Sequence, residues 1–529
     1  MYRPSLIALL VVAATLSALA DETAAGTLRW AGRGDLQTAD PHAQSNGLTR
    51  NLNALVYESL VTRDRQLALV PALATSWQRV DATTWRFRLR PGVRWSDGSP
   101  FTADDVVFSY ERARSATSPL RAHADAAGTA RRIDDRTVEF VTPGPNPVLL
   151  EHVATIGIMS RAWCERNRAA TPPDDAVGVD SITARQAMGT GPFVLQTRQP
   201  DAKTVLARNP HWWGARDRRF EGNVDEVVYT PIPSDAARVA ALIAGDVDLV
   251  ADPPPHDVPR LRQTPGIEVV AGTENRIVFL GLDQGRDELA YANVKGRNPF
   301  QDPRVRQALH RAIDIDAIQR TTMRGLSQPT GALLPSPAQS TPELERRPPF
   351  DREAAQRLLA AAGYAGGFEV TLDCPNDRYV NDEKICQAVA AMWSRIGVNT
   401  RVNALPWANY LPKLERRDTS AYLLGWDGAS PDAIFTLQPV LATWNGRGDG
   451  DHNYGRASNP KLDALTARIK VELDPELRLR MIREALSAHQ AETNHIPLHR
   501  QVLPWAMRVG VRVPHRADNV VLPHEASVP

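Results

Sequence analysis

Four things are scarce in this 529-residue sequence: charge imbalance, lysine, cysteine and long apolar runs. The 62 basic and 61 acidic residues leave a formal net charge of +1. A dedicated nucleic-acid binder carries a clustered basic excess, so this balance argues against one. It argues equally against an acidic solvating tail. Only six of the basic residues are lysine, so 62 − 6 = 56 are arginine. They are dispersed, as a genome composition bias would leave them. Beyond the first twenty residues no stretch approaches the 18 apolar residues that a membrane span needs. There is no G-x-x-x-x-G-K-[ST] loop to cradle nucleotide phosphates and no H-E-x-x-H zinc helix. No G-x-S-x-G nucleophile elbow occurs either. Gly446, Gly448 and Gly450 cluster but lack the strand-to-helix context of a dinucleotide site. His495 and His499 are four apart near His489, yet Ile496 to Leu498 reads as a strand. The three are therefore read as packing or surface residues, not metal ligands.

What is present fits a soluble globular protein of two to four domains, with 43% apolar and 23% charged residues. Met1 to Arg3, an apolar stretch from Leu6 to Leu19, and Ala18-Leu19-Ala20 before Asp21 form a secretory signal with cleavage expected after Ala20. An exported chain meets an oxidising compartment, which permits a disulfide. Cys374 and Cys386 are 12 apart, between a strand end and a helix start. They are either bridged or two buried thiols, with Cys164 left over.

Local signals are well punctuated. Trp85 to Leu89 alternates as a half-buried strand. Thr102 and Asp105 make an acid-for-Glu capping box, with Phe101 and Val106 at the staple positions. Ser234, Asp302-Pro303, Asp351, Asn459-Pro460 and Asp474-Pro475 each start a helix. Strands are predicted at Phe368 to Leu372, Val398 to Val402 and Ala421 to Trp426. Strand–helix alternation over residues 220–430 predicts an α/β unit with a mainly parallel sheet. Residues 75–145 read as more antiparallel. No long linker separates the pieces, so the chain is expected to cross between lobes more than once.

Six stretches, in order, resemble the family 5 extracellular solute-binding proteins, the dipeptide- and oligopeptide-binding components of ABC importers. Leu89 to Ser109 looks like the family's hallmark segment, with Trp95 where an aromatic is usual. Val70 to Trp77, the Gly189-Thr190-Gly191-Pro192-Phe193 turn, Asn209 to Gly214, Asp302 to Ile313 and Asn453 to Pro460 match further family patterns. The resemblance implies an α/β, two-lobe periplasmic-binding-protein fold (type II) with an extra subdomain and a hinge of two strands. It places the first lobe at 27–275 plus 486–529, the extra subdomain at 60–185 and the second lobe at 276–485. One hinge strand is expected from Glu274 to Leu280 and the return from Ile496 to Trp505.

The same resemblance implies a periplasmic monomer, not an enzyme, that needs no cofactor. It would enclose a peptide or other small solute and pass it to a membrane permease with separate ATPase subunits. Asn46, Gly47 and Leu48 lie in a loop that touches ligand in peptide-binding members, although Gly47 could equally be a turn glycine needing positive φ. Many peptide binders place an aspartate three residues after the Trp of the Gly425-Trp426 strand end. That position here is Ala429, and Asp427 follows Trp426 directly. Arg378, Tyr379 and Asn381 occupy a third candidate loop, where an arginine could hold a carboxylate. The family's arginine sits nearer the helix start, at Glu383 and Lys384 here. Trp407 could line the cleft or pack in the core. Within the family, a nickel chelate, haem, opine or oligosaccharide is the alternative ligand. A secreted hydrolase with scattered catalytic residues is the alternative from another class.

Overall fold

The computed structural model describes residues 26–44, 46–174, 181–217, 219, 221–428 and 430–529. The expected signal segment, residues 1–20, lies outside them, as do Ser45 and Ala429. Among the described residues no helix is long and apolar enough to cross a membrane.

The caps read in the sequence fix the helix starts. Thr102 and Asp105 form the capping box of Ala103–Ala113, with the Thr102 N–H donating to Asp105 at 2.8 Å. Asp302, Asn459 and Asp474 each accept a backbone N–H ahead of a proline in the first turn. Ser234 caps Asp235–Ala244, which ends at Gly245 with φ +86, a conformation that costs glycine nothing.

One mixed sheet of eleven strands runs through the molecule. At its first-lobe end, Gly26–Gly32 pairs in parallel with Val224–Pro231 and Leu249–Val250. At the other end, Phe368–Pro375 pairs in parallel with Val398–Leu405 and Ala421–Trp426. Between them lie two long strands, Ile267–Leu282 and His495–Arg508, antiparallel to each other. Ile267–Leu282 is also antiparallel to Ala421–Trp426, and Lys203–Arg208 to Val224–Pro231. The mainly parallel sheet expected for 220–430 is thus corrected to a mixed one. Parallel pairing holds inside each lobe, but the two strands that carry the chain out and back between lobes must run in opposite directions.

The register of the long pair breaks between Thr273 and Ile277, so Glu274, Asn275 and Arg276 stand outside the ladder. On one side of the break Ile267 to Thr273 pairs with Val502 to Arg508. On the other Ile277 to Gly281 pairs with His495 to Arg500.

Apart from this sheet, Ala74–Arg79, Thr84–Leu89, Thr137–Val141 and Thr129–Asp134 form a four-stranded antiparallel sheet. It has its own core around Phe87, Trp95, Tyr110 and Phe140. Phe87 and Phe140 meet edge to face at 5.4 Å. Around Phe368–Pro375, Trp393 is fully buried and donates its indole N–H to the Leu309 carbonyl at 3.0 Å. Cys374 is disulfide-bonded to Cys386 of the following helix, and Cys164 is free and buried.

Candidate functional site

A cavity of about 1730 Å³ lies between the two halves of the main sheet. Its walls include the loop and helix after Gly26–Gly32, the register break of the long strands, the loops that follow Phe368–Pro375 and Ala421–Trp426, and first-lobe segments around Glu58, Asp252 and Asp518.

The first wall is anchored in the core. Asp40 accepts two hydrogen bonds from Arg112, at 2.9 and 2.5 Å, with both side chains fully buried. Burial works to raise the Asp40 carboxyl, and the Arg112 guanidinium more than offsets it, so the group stays below its usual range. This pair ties the loop to the helix Ala103–Ala113. Four residues beyond His42, Asn46 caps the helix Gly47–Asn53, accepting from the N–H groups of Leu48 and Thr49. Asn46, Gly47, Leu48, Arg50 and Asn51 line the cavity. Gly47 is not among the positive-φ glycines, and an added Cβ would meet nothing within 4 Å. Its turn-glycine role therefore falls away, and its small size leaves open space on the cleft wall.

At the register break, Arg276 lies between two carboxylates. Its Nε donates to both Glu274 oxygens at 3.2 Å and a terminal nitrogen donates to Asp427 Oδ2 at 2.9 Å. The Asn275 side-chain amide donates to the Asp427 carbonyl at 3.1 Å. Burial pushes the Glu274 carboxyl up, against the pull of Arg276. Burial also opposes the Arg276 charge, but Glu274 and Asp427 outweigh it and hold the guanidinium more firmly protonated. Gln501, on the other long strand, donates to Glu274 at 2.8 Å and accepts from the Val380 N–H at 3.0 Å. The hinge, the Arg378 loop and the Asp427 loop are thereby wired together.

Of the nine residues singled out in the sequence, Asn46, Gly47, Leu48, Arg378 and Asp427 line this cavity. The other four support its walls. Tyr379 is buried and donates to the Gly425 carbonyl at 3.2 Å. Asn381 adopts φ +55 and donates to the Thr322 carbonyl at 2.9 Å. Trp426 donates its indole N–H to the Phe435 carbonyl at 2.9 Å. Trp407 packs between Tyr379, edge to face at 6.0 Å, and Tyr410, tilted at 5.9 Å.

Sequence reasoning missed several lining residues. Trp30, Asn51 and Asn275 are each at least nine-tenths buried and line the cavity. Among the described residues, Trp30 Nε1, Asn51 Oδ1 and Asn275 Oδ1 find no hydrogen-bond partner. Glu58 accepts from the indole N–H groups of Trp212 and Trp213, at 3.1 and 2.9 Å, while burial pushes its carboxyl up to about 7. None of these carries a motif; only tertiary placement brings them to one cavity. Ser430 donates to Glu151 Oε2 at 2.7 Å across the mouth, and Arg63 pairs with the same carboxylate.

Comparison with known proteins agrees with this architecture. A family model described as bacterial extracellular solute-binding proteins, family 5 middle, matches residues 68–448. The chain is 27% identical over 511 residues to the dipeptide-binding protein of Escherichia coli K12, spanning 90% of this chain and 89% of that one. It is 26% identical over 478 residues to haem-binding protein A of Haemophilus influenzae, spanning 84% and 82%. Among solved structures, HbpA2 of Haemophilus parasuis superposes with a TM-score of 0.78 at 24% identity, over 95% of this chain and all of that one.

Proposed function

Since this chain belongs to the bacterial extracellular solute-binding proteins of family 5, we propose that it captures short peptides between its lobes for delivery to a membrane permease. The family is one of substrate-binding proteins, not enzymes. One observation carries the peptide reading. The cavity is lined by asparagines, Asn46, Asn51, Asn53 and Asn275, a side chain that carries donors and an acceptor together. A chain of amides supplies both complements, since every non-proline residue carries one donor and one acceptor. The cavity, at about 1730 Å³, exceeds the roughly 300–1,000 Å³ of ordinary small-molecule pockets. That leaves room for an extended peptide with bridging water. The dipeptide-binding relative supports the same class.

In this reading the first lobe is 27–275 plus 486–529, with the extra subdomain at 60–185, and the second lobe is 276–485. Glu274 to Arg276 is the pivot of one hinge strand. The ligand binds the closed arrangement better and shifts the population toward it. The protein acts as a periplasmic monomer, and separate ATPase subunits drive the permease.

One observation favours a second reading, a non-peptide solute such as a nickel chelate, haem, opine or oligosaccharide. Asp427, the carboxylate available to a ligand's free amine, already accepts from Arg276. Mass spectrometry of the purified mature protein, native and then after denaturing release, separates the two. A ladder of short peptides supports the first reading, and a single defined non-peptide mass replaces it with the second.

A further inference from the structure

Away from the cleft, one buried guanidinium edge lacks a counter-charge. Arg347 follows the short helix Pro342–Glu345, and its Nη1 donates to the Thr330 carbonyl at 3.4 Å. Its Nε and Nη2 atoms are buried and have no hydrogen-bond partner among the described residues. Those two nitrogens form the edge from which a guanidinium donates a forked pair of bonds. The neighbouring carboxylate, Glu345, is taken by Arg500 and Thr330. Asp316 attracts Arg347 but is exposed, and the two make no ion pair. Two histidines share the place. His499 lies opposite Pro329 on the long strand; it is fully buried, and neither ring nitrogen is bonded. His310, near the end of the helix Pro303–Arg311, is also buried, and its Nε2 has no partner. Backbone bonds tie the three elements together, from the Thr330 N–H to the Leu498 carbonyl at 3.3 Å and from the Asp351 N–H to the Arg311 carbonyl at 3.0 Å. Burial above all, and then the charge of Arg347, hold both imidazoles below their usual range.

We propose that the open edge of Arg347, with the ring N–H groups of His310 and His499, holds a buried halide ion, chloride under ordinary conditions. Buried polar groups in folded proteins are almost always bonded, so a cluster left unmatched by the chain calls for an occupant. A neutral imidazole keeps one N–H in either tautomer, and the guanidinium edge supplies two more, so the cluster is made of donors around one positive charge. A monovalent anion answers both features. It accepts from several directions at once and neutralises the guanidinium, whereas water brings no charge. None of the three residues lines the main cavity. The ion therefore acts on the fold, joining the helix Pro303–Arg311, the segment after Pro342–Glu345 and the long strand His495–Arg508, and the inference stands apart from what the cleft binds.

The test uses the purified mature protein, dialysed into sodium gluconate at pH 7.5. Sodium chloride then replaces gluconate, an anion too bulky for the site, at constant ionic strength. The melting temperature should rise by about 2–4 °C and level off as the site fills. Arg347→Gln removes the charge and keeps general salt effects, so its chloride-dependent rise should vanish. Arg347→Lys, which keeps the charge and loses the fork, should retain part of it. Far-UV circular dichroism checks that both variants fold. A crystal of the unaltered protein soaked in sodium bromide reads the site without a substitution. One anomalous peak is expected within hydrogen-bond distance of Arg347 Nε and Nη2, His310 Nε2 and a ring nitrogen of His499. Ordered water there without a bromide signal overturns the inference, as does a chloride response as large in Arg347→Gln as in the unaltered protein. A bromide peak with no melting response marks an adventitious ion only and overturns it too.

Discussion

Ser430 and Glu151, 279 residues apart, meet across the mouth of the cleft, the Ser430 hydroxyl donating to Glu151 Oε2 at 2.7 Å. Ser430 is buried, and Arg63 shares the carboxylate. Nearby, the His152 ring lies 5.4 Å from that of Phe435. The bond exists only when the two sides are together, so it stabilises the closed arrangement alone.

Ser430→Ala therefore weakens ligand binding without much effect on folding. A hydrogen bond to a charged group is worth about 1.5–3 kcal/mol, less what water returns on opening. A net loss of about 1–2 kcal/mol corresponds to a roughly 5–30-fold rise in Kd. Titration with whichever ligand co-purifies, alongside a urea melt, checks the split. An unchanged Kd would show that the mouth contact does not contribute to closure.

Acid should destabilise the fold before it reaches the carboxylates. His310, His489, His495 and His499 are all buried. Burial holds His489 down at about 4 and His499 at about 3, and holds His310 and His495 well below their usual 6.5. The unfolded chain takes up these protons near pH 6.5, while the folded chain resists until about 4 or below. Their contribution is thus complete above pH 6.5 and is lost as pH falls from there toward 4. Glu58, pushed up to about 7, has the opposite sign and loses stability as pH rises from about 4.5 to 7. The melting temperature should fall between pH 6.5 and 4.5, and less steeply in His499→Gln. A flat profile over that interval would contradict the buried neutral histidines.

Reduction should loosen the segment that carries Arg378. Cys374 ends the strand Phe368–Pro375 and Cys386 sits in the helix Asp382–Ser394, so the bridge closes the loop holding Arg378. Loops of this size give about 2–4 kcal/mol of stabilisation. The Cys374→Ser, Cys386→Ser double variant should show a lower urea midpoint and faster proteolysis within 376–381. Equal midpoints with and without reductant would mean the bridge adds nothing.

Much of this was legible in the sequence where the signal is local. The strand Ala421–Trp426 and the capping box at Thr102 and Asp105 were readable residue by residue, because periodicity and cap chemistry act over a few positions. The two long strands were foreseen, but not their antiparallel pairing or the break at Glu274 to Arg276, because pairing direction is set by the path of the whole chain. Arg276 and Asp427 lie 151 residues apart, and no spacing rule joins them. Asp427 was picked from the strand end, while the arginine that holds it was not. Asn51 and Trp30 went unnoticed for a related reason: an unpaired buried atom is a property of the packed state, not of the residue type.

In the function proposed above, ligand closes two lobes about the break at Glu274 to Arg276. Small-angle X-ray scattering tests it most directly, on the mature chain stripped of ligand and then resupplied with the species released from it. The radius of gyration should be smaller with ligand than without, and the change smaller in Ser430→Ala. An identical radius in both states, with ligand demonstrably bound, would contradict it.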